Sequence, residues 1–270
     1  MSDIISIEKI NENEISVLIR PMHINDINTI YSIQKEIFPA DDLFESYEAF
    51  ENKFLVYPQG CFCVELILEG EIIDQENINK YEPSSDLEIN KKKLLGHFFS
   101  HPWTKGEFPP LNNAKAINDG VDKIIDRSIG ELVTGVNKEN VMLYLNEIAV
   151  RPMARGFNLA RLLSNRVLHH LSKQSPSFDH IGLVSVQGSF TVWASIGFDI
   201  DHNLPQKKKD YLCKNYGEKS CYMKMDYSKK IKNLKNNQLY ICPNLISNNV
   251  NSGIYYYGKL FKEVKRVSKL

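Results

Sequence analysis

The sequence predicts a mixed α/β fold, and three observations lead to this prediction. Hydrophobic residues make up 43% of the 270 positions, which is enough for a sizeable core. Short strand-like runs alternate with stretches of helical periodicity between residues 16 and 226. The strongest stretch is a strand over 141–150, a short turn, and a helix over 155–173. We therefore expect one generous domain over 16–226, followed by a basic, Lys- and Asn-rich tail over 227–270.

The first hundred residues predict alternating short strands and helices. In chain order these are a strand (15–22), a helix (24–37), a helix (43–54), a strand (61–68) and a strand (94–101). The helix at 24–37 repeats isoleucines at three- and four-residue spacing, and Pro39 ends it. Residues 69–93 form a polar insertion with neither periodicity, which predicts a long loop. Pro102 marks the start of an irregular crossing segment.

The second half begins with another polar insertion, 113–140, and then carries the strongest elements. In chain order these are a possible helix (122–133), a strand (141–150), a helix (155–173), a strand (181–186), a short helix (189–195), a strand from 197 and a last strand (220–226). The helix at 155–173 places its large apolar residues on one stripe, which predicts a buried face. They are Leu159, Leu162, Leu163, Val167, Leu168 and Leu171.

Charge is distributed unevenly along the chain although the net charge is zero. Residues 1–204 hold 18 basic and 29 acidic residues, whereas residues 205–270 hold 15 basic and 4 acidic ones. The acidic body suits a cationic amine substrate. The basic tail either contacts phosphates or anionic lipid, or docks on the acidic body. Because the tail lacks interleaved basic and aromatic residues outside 255–261, nucleic-acid binding by it is not favoured.

Targeting and metal-binding patterns are not found in the sequence. It has no apolar run of about 18 residues, so no membrane span is expected. Residues 1–14 carry acids and amides where a secretory signal needs a basic start, so we expect a cytoplasmic protein. The lysine run Lys207–Lys209 is also compatible with a nuclear fraction of the protein. The five cysteines are scattered without a second pair at ligand spacing, which predicts reduced thiols and no bound metal.

The start of the helix after the 141–150 strand has the features of a phosphate site. Arg155-Gly156-Phe157-Asn158-Leu159-Ala160 opens this helix after the turn at 151–154. A helix N-terminus presents unpaired backbone N–H groups and the positive end of its dipole. Gly156 lets a ligand approach the backbone, so this geometry suits a cofactor that carries a pyrophosphate.

This segment resembles the acetyl-CoA-binding motif of the GNAT superfamily of N-acetyltransferases. The motif is written Q/R-x-x-G-x-G/A; Arg155 fills its first position, Ala160 its last, and Asn158 replaces the inner glycine. Asn is the non-glycine residue that best tolerates left-handed backbone, so the turn can persist. Other resembling segments are Ile19-Arg20-Pro21, Leu95-Gly96-His97-Phe98, and Val184–Gln187 with Phe190, Trp193 and Gly197-Phe198. Two more segments, Tyr57–Cys61 and Ser100–Trp103, are similar to a subgroup of this superfamily whose members are uncharacterised. Altogether the resemblance covers roughly residues 16–226.

The resemblance implies a fold, a co-substrate and a reaction. The fold is a mostly antiparallel central sheet with splayed central strands, flanked by helices. Acetyl-CoA would be the co-substrate, and its acetyl group would pass directly to a primary amine of a small molecule or of a protein. The residues expected to bind it are Ile148, Ala149, Val150, Arg155, Gly156, Phe157, Asn158, Leu159, Ala160, Ser189 and Trp193. The alternative is a catalytically weak, regulatory acyl-CoA-binding module, which Asn158 and Trp193 favour.

The resemblance also implies roles for acids and bases. The amine must lose a proton before it attacks, and Glu147 is the first candidate base because many family members carry a carboxylate on this strand. His101 is the second candidate, as base or substrate ligand. Many members protonate the leaving thiolate with a tyrosine where this chain has Trp193, so Tyr144 is expected to substitute, with Tyr216 or water as alternatives.

The acceptor pocket is expected from the segment after the first helix and from the strand ending near Pro102. Phe38 and Trp103 supply aromatic surface and Asp41 supplies negative charge. Together these side chains suit a cationic and partly apolar amine.

Overall fold

The computed structural model describes residues 6–9, 16–37, 44–67, 84, 86–111, 113–186 and 189–227. Its strands are β1 (Ser6–Lys9), β2 (Ser16–Pro21), β3 (Cys61–Leu66), β4 (Leu94–Thr104), β5 (Ile125–Asp126), β6 (Glu131–Leu132), β7 (Val141–Val150), β8 (His180–Ser185), β9 (Asp199–Ile200) and β10 (Cys221–Asp226). Its helices are α1 (Asp26–Ile37), α2 (Tyr47–Val56), α3 (Leu87–Lys93), α4 (Ala114–Asp122), α5 (Leu159–Leu171), α6 (Phe190–Ile196) and α7 (Gln206–Tyr216). The mixed α/β class predicted from the sequence is confirmed.

The described chain divides into two compact units. The first comprises the described residues up to Phe99 together with Glu147–His170. In it β1, β2, β3 and β4 follow one another as antiparallel neighbours. Helix α1 buries its isoleucines at 27, 30, 33 and 37 in a core shared with Phe50 of α2 and Phe99 of β4. The helical spacing of these apolar residues therefore has the packing role that the sequence predicts.

The second unit comprises Ser100–Asn146 and the described residues from Leu171 onward. Here β7 pairs with β8 in parallel, β8 pairs with β10 antiparallel, and β10 pairs with β9 antiparallel. Gly182 of β8 is required by close packing, because a Cβ there would lie 2.6 Å from the hydroxyl of Tyr222 and 2.7 Å from the sulfur of Met142. This unit also contains α4, α6, α7 and the short β5–β6 pair.

Three sequence predictions about elements other than α5 are wrong. The predicted loop at 69–93 contains α3, whose first turn is capped by the Asp86 carboxylate, a local signal that its lysine-rich composition conceals. The helix expected at 122–133 is instead α4, which begins after the capping residue Asn113 and ends at Asp122. Pro102 lies inside β4, because a strand tolerates proline where its missing N–H is not needed for pairing.

The long α5 starts later than predicted and buries five of the six residues of the predicted stripe, whereas Leu162 is only partly buried. Leu159, Leu163, Val167 and Leu168 are almost completely buried. Within the described residues, no helix is long and apolar enough to cross a membrane.

Candidate active site

The turn between β7 and α5 has two residues in left-handed backbone. Residues 152–154 form a 3-10 turn, and Gly156 then adopts φ +95°. Asn158 adopts φ +57°, which is positive for a non-glycine residue and agrees with the tolerance expected of asparagine. The α-helix begins only at Leu159, so the predicted helical start at Arg155 is wrong: Arg155–Asn158 belong to the turn.

The turn is fixed to the rest of the first unit by arginines and by buried apolar groups. Arg155 donates from Nε to the carbonyl of Val150 at 3.2 Å and from Nη2 to the carbonyl of Ile37 at 3.0 Å. Arg151 forms a salt bridge of 2.7 Å with Glu36. Phe157 and Leu159 are buried. Arg155 therefore positions the turn through backbone carbonyls.

The start of α5 presents backbone donors. The carbonyl of Asn158 accepts the first helical hydrogen bond, from the N–H of Leu162 at 2.8 Å. By helix geometry, the N–H groups of Leu159 and Ala160 therefore have no acceptor within the helix. Gly156 and Asn158 are both exposed beside them. Such a helix start favours a bound anion through its N–H groups and its dipole.

A partly buried network of charged groups surrounds Glu147, three residues before the end of β7. The carboxylate of Glu147 contacts the ammonium of Lys53 through Oε2 at 2.6 Å and the imidazole of His97 through Oε1, 2.8 Å from Nε2. Lys53 also donates to Glu45. The side chain of Lys53 is 9% exposed, that of Glu147 14% and that of His97 1%. We call Glu45, Lys53, Glu147 and His97 the Glu147 network.

The shifted pKa values of Glu147 and Lys53 favour the charged forms of these two side chains. Burial alone would raise the pKa of Glu147, but Lys53 and then His97 outweigh it and hold that pKa below its ordinary value. Burial alone would lower the pKa of Lys53, but Glu147 and Glu45 outweigh it and raise that pKa above its ordinary value. Lys53 therefore stays an ammonium, and Glu147 stays a carboxylate of low basicity. The role of Glu147 as general base stays a prediction, and its lowered pKa counts against it.

Aromatic rings enclose the network. The ammonium of Lys53 lies 5.0 Å from the ring centre of Phe50 and 5.6 Å from that of Phe99. The imidazole of His97 lies 5.4 Å from the ring of Phe99 and 6.3 Å from that of Phe50, both edge to face. Phe50 and Lys53 share a face of α2 because they are three residues apart, and His97 and Phe99 share a face of β4 because they are two apart.

Sequence reasoning missed Glu45, Lys53 and His97 as candidates. Lys53 and Glu147 are separated by 94 residues, so no local motif joins them. One signal was available: Lys53 lies three residues after the buried Phe50, on the apolar face of a predicted helix, where a lysine needs a charged partner.

The second unit contains a separate group of the predicted residues. His101 is buried and donates from Nδ1 to the carbonyl of Pro102 at 3.1 Å. Its ring lies 5.5 Å from that of Trp103 and 5.6 Å from that of Tyr144, and its Nε2 lies 3.5 Å from the amide nitrogen of Asn146. The structure thus brings His101, Trp103 and Tyr144 together, as an enclosed cluster.

Two of these residues have surroundings that bear on their predicted roles. Burial, and then Tyr216, raise the pKa of Tyr144 well above its ordinary value, which makes it a weaker proton donor. A Cβ on Gly120 of α4 would lie 2.3 Å from the ring of Trp103, so the indole packs directly against helix backbone. The assignments of Tyr144 as acid and Trp103 as substrate contact stay predictions.

The remaining predicted contacts are placed as follows. Ser189 precedes α6; its hydroxyl accepts from the indole N–H of Trp193 at 3.2 Å and lies 3.1 Å from the hydroxyl of Ser185. The Trp193 ring packs edge to face on Phe198 at 5.9 Å. Phe38 and Asp41 lie outside the described residues. Among the residues that are described, no group of three His, Cys, Asp or Glu is placed to hold a metal ion.

Comparison with known proteins gives structural matches at low sequence identity. No protein-family model and no curated protein matches this sequence. Among solved structures, the chain is similar to proteins described as GNAT-like or as acetyltransferases. One is the loading GNATL domain of CurA from Lyngbya majuscula, with TM-score 0.49, 13% identity, and coverage of 79% of this chain and 98% of that one.

Two further structures are matched over much of the chain. The GNAT-like decarboxylase GphF, in complex with isobutyryl-CoA, gives TM-score 0.45 at 13% identity, covering 77% of this chain and 98% of that one. NAA60 from Arabidopsis thaliana, in complex with a bisubstrate analogue, gives TM-score 0.40 at 14% identity, covering 68% of this chain and 84% of that one.

Proposed function

We propose that this chain is an acyl-CoA-dependent N-acyltransferase that transfers the acetyl group of acetyl-CoA to a primary amine, either of a small molecule or of a protein. One observation carries the proposal: the turn between β7 and α5 has left-handed backbone at Gly156 and Asn158, directly before a helix start. This is the geometry that the motif at 155–160 requires. The carboxylate of Glu147 lies on the same strand that leads into the turn.

The pyrophosphate of the co-substrate fits the start of α5. The N–H groups of Leu159 and Ala160 lack helical acceptors, and the exposed Gly156 lets an anion approach the backbone. Arg155 is engaged with two carbonyls, so its part is to hold the turn. Ile148–Val150 of β7 would hold the pantetheine arm and the thioester oxygen. A preformed backbone donor at that oxygen is worth about 3 kcal/mol of barrier lowering.

We assign the binding of the amine acceptor to the Glu147 network. Its two carboxylates, those of Glu45 and Glu147, outnumber its one ammonium, that of Lys53, and this balance favours a cationic amine. The acidic balance of residues 1–204 acts in the same direction at longer range. In the reaction the cationic amine first loses a proton to solvent, and its nitrogen then forms a bond to the acetyl carbonyl carbon as the C–S bond breaks. The second proton, which the nitrogen loses on becoming an amide, goes to the departing thiolate.

Thiol release with a panel of amines tests the proposal. Purified protein is mixed with acetyl-CoA and with polyamines, arylalkylamines or peptides bearing a free N-terminus, and the released thiol is measured. We expect one amine class to stimulate release and to appear as its acetyl amide by mass spectrometry. Gly156→Asp should abolish the stimulation, because a carboxylate beside the helix start repels the pyrophosphate.

Gly135→Asp is the matched control. Gly135 is also exposed and has φ +88°, close to the +95° of Gly156, so both substitutions introduce the same charge at the same kind of backbone position. Gly135→Asp should retain full turnover. Acetyl-CoA binding without release for any amine would contradict the enzyme and support the alternative, a regulatory acyl-CoA-binding module.

A further inference from the structure

Both carboxylate oxygens of Glu147 are engaged by protein side chains. Oε2 accepts from the ammonium of Lys53 at 2.6 Å, and Oε1 lies 2.8 Å from Nε2 of His97. Within the part of the chain that the structure describes, these two side chains are the polar partners of the carboxylate. The side chain of Glu147 is still partly exposed, so an acceptor can approach it. Glu147 is therefore an anion that the protein holds in place and leaves accessible.

The contacts of Glu147 make it a weak base. The titratable groups that face it are Lys53 from α2 and His97 from β4, and Glu45 lies on the other side of the same ammonium. Burial alone would raise the pKa of Glu147, but Lys53 and then His97 outweigh it and lower that pKa. A group of such low basicity is inefficient at removing a proton from an ammonium. Glu147 is thus suited to binding a cation and poorly suited to deprotonating one.

The remaining members of the network are poorly placed to take a proton from an acceptor. His97 is 1% exposed, so its imidazole is enclosed. Lys53 is an ammonium, which has no lone pair. Burial alone would lower the pKa of Lys53, but Glu147 and then Glu45 outweigh it and raise that pKa, so the ammonium persists. The carboxylate of Glu45 is held by the same ammonium. The network offers an acceptor negative charge without an accessible base.

We propose that the acceptor loses its proton to solvent and that the site therefore serves amines of low basicity, above all the α-amino group of a peptide or protein. This inference rests on the proposed function and names the acceptor class of that same site. The network binds the charge of the acceptor and does not take its proton. Glu147 is accordingly a binding residue for the acceptor, and Lys53 is the positioning residue that keeps its carboxylate ionised.

An α-amine meets two opposite requirements of such a site. The acceptor must be cationic to gain from the excess of carboxylates and neutral to attack the thioester. An arylamine is neutral at pH 7 and gains nothing from the carboxylates. An α-amine has a pKa of about 7.7–8.0 and a lysine side chain one of about 10.4, so at pH 7 roughly one α-amine in seven is neutral, against roughly one lysine in 2,500. Because the more basic amine is the better nucleophile once neutral, we expect kcat/KM to favour the α-amine by about 10- to 300-fold.

The protons of the reaction balance without a base from the protein. The α-ammonium gives one proton to water and becomes a neutral amine. Its nitrogen forms a bond to the carbonyl carbon of the thioester, and the C–S bond breaks. The nitrogen gives up its second proton on becoming an amide, and the departing thiolate takes it up. The products are an acetylated α-amine and the free thiol of CoA.

The pH dependence of kcat/KM identifies the group that must lose a proton. We would measure it for two short peptides whose first residues give their α-amines different pKa values, each determined by NMR titration of the free peptide. Each profile should rise with pH and level off at the pKa of the peptide's own amine, so the two inflections should differ. An inflection at the same pH for both peptides belongs to the protein and overturns the proposal.

Competition within one molecule tests the acceptor class. A peptide with a free α-amine and one free lysine is incubated with acetyl-CoA, and mass spectrometry locates the acetyl group. We expect acetylation of the α-amine to exceed that of the lysine at least tenfold at pH 7. The ratio should fall as the pH rises, because the lysine then becomes neutral as well. Preference for the lysine, a ratio that does not change with pH, or turnover of alkylamines without any acetylated peptide overturns the proposal.

Glu147→Gln separates charge binding from base catalysis. Loss of the charge should raise the KM of the peptide about tenfold, whereas kcat should change less than about threefold and the inflection should stay at the pKa of the peptide. A fall of about 10²- to 10⁴-fold in kcat would make Glu147 the base and overturn the proposal. The double variant Lys53→Met/Glu147→Gln removes both members of the ion pair, so it covers the case in which the single variant does not fold, and it should keep the wild-type inflection.

The outcomes also separate this inference from the proposed function. A wild type that releases no thiol with any amine contradicts the function itself. A wild type that turns over with an inflection common to all acceptors contradicts only the assignment of the acceptor class.

Discussion

Substitution of Asn158 gives a sharp test of the turn before α5. The residue adopts φ +57°, in the left-handed region where a side chain is strained, and its carbonyl accepts the first hydrogen bond of the helix at 2.8 Å. Asn tolerates this conformation, Gly adopts it freely, and Ala does not. We therefore compare Asn158→Gly with Asn158→Ala, two changes that both remove the polar side chain.

The expected magnitude follows from the backbone. A residue with a Cβ pays about 1–2 kcal/mol in the left-handed region, and Asn recovers part of this. Escaping the strain would sacrifice the hydrogen bond from Leu162, worth about 1 kcal/mol. Asn158→Ala should therefore lose about 1 kcal/mol of unfolding free energy, a fall in Tm of about 2–4 °C for a domain of this size. Asn158→Gly should change Tm by less than half of that.

Thermal unfolding and acetyl-CoA binding measure the effect together. If the turn aims the N–H groups at the pyrophosphate, Asn158→Gly should bind acetyl-CoA at least as tightly as the wild type. Asn158→Ala should bind more weakly, by up to about tenfold, since 1.4 kcal/mol corresponds to a factor of ten. If Ala matches Gly in both Tm and affinity, the left-handed turn has no role in either, and the argument from its geometry is refuted.

Three further predictions concern the first unit. In the wild type the guanidinium of Arg20 lies 2.7 Å from the carboxylate of Asp26 and 2.6 Å from that of Glu65, and Arg20→Met leaves both carboxylates buried without it. Urea unfolding should therefore show a loss of about 3–5 kcal/mol. Lys115→Met, which removes the exposed partner of Asp119, is the control and should leave the unfolding midpoint unchanged. Gly96→Ala places a Cβ 2.5 Å from the carbonyl oxygen of Ala149 and should cost about 1–3 kcal/mol in the same assay; an unchanged midpoint would contradict this close approach. In the folded protein the pKa of Glu147 lies below its ordinary value. The ionised Glu147 therefore contributes its full stabilisation of the folded state at pH values above that ordinary pKa, and this contribution is lost as the pH falls through the lowered pKa. Unfolding midpoints measured from neutral to acid pH should therefore depend less on pH in Glu147→Gln, and an equally steep dependence would contradict this.

The elements with strong local patterns were predictable from the sequence. The strand Val141–Val150 agrees at both ends with the expected 141–150, and the apolar stripe of α5 is buried as its spacing requires. Helix α1 was placed within two residues because isoleucine spacing marks both its face and its length. The left-handed backbone at Asn158 was expected because Asn158 stands where the resembling motif has a glycine and because asparagine tolerates this conformation.

The errors have local physical causes. Helix α3 has 7 residues and three consecutive lysines in its last turn, so it offers almost no apolar periodicity, and its Asp86 cap is the only clear sign. Helix α4 was shifted because the turn-rich stretch after Asp122 carries apolar residues that belong to the β5–β6 pair. Arg155 resembles a first helical residue, but its side chain is used to hold the turn.

The candidate site was only partly predictable for a different reason. Its cofactor side is contiguous in sequence, so a motif could indicate it. The Glu147 network joins α2, β4 and β7. His97 and Glu147 are 50 positions apart in the chain, and no sequence spacing encodes such a contact. A buried lysine was the one sign that a carboxylate had to lie nearby.

Calorimetric titration of acetyl-CoA into the wild type, Gly156→Asp and Gly135→Asp tests the central claim most directly. We predict saturable binding to the wild type and to Gly135→Asp, with binding to Gly156→Asp weakened at least tenfold while its Tm stays close to that of Gly135→Asp. Equal affinities for all three proteins, or no binding by the wild type, would contradict the assignment of the turn before α5 as the acyl-CoA site.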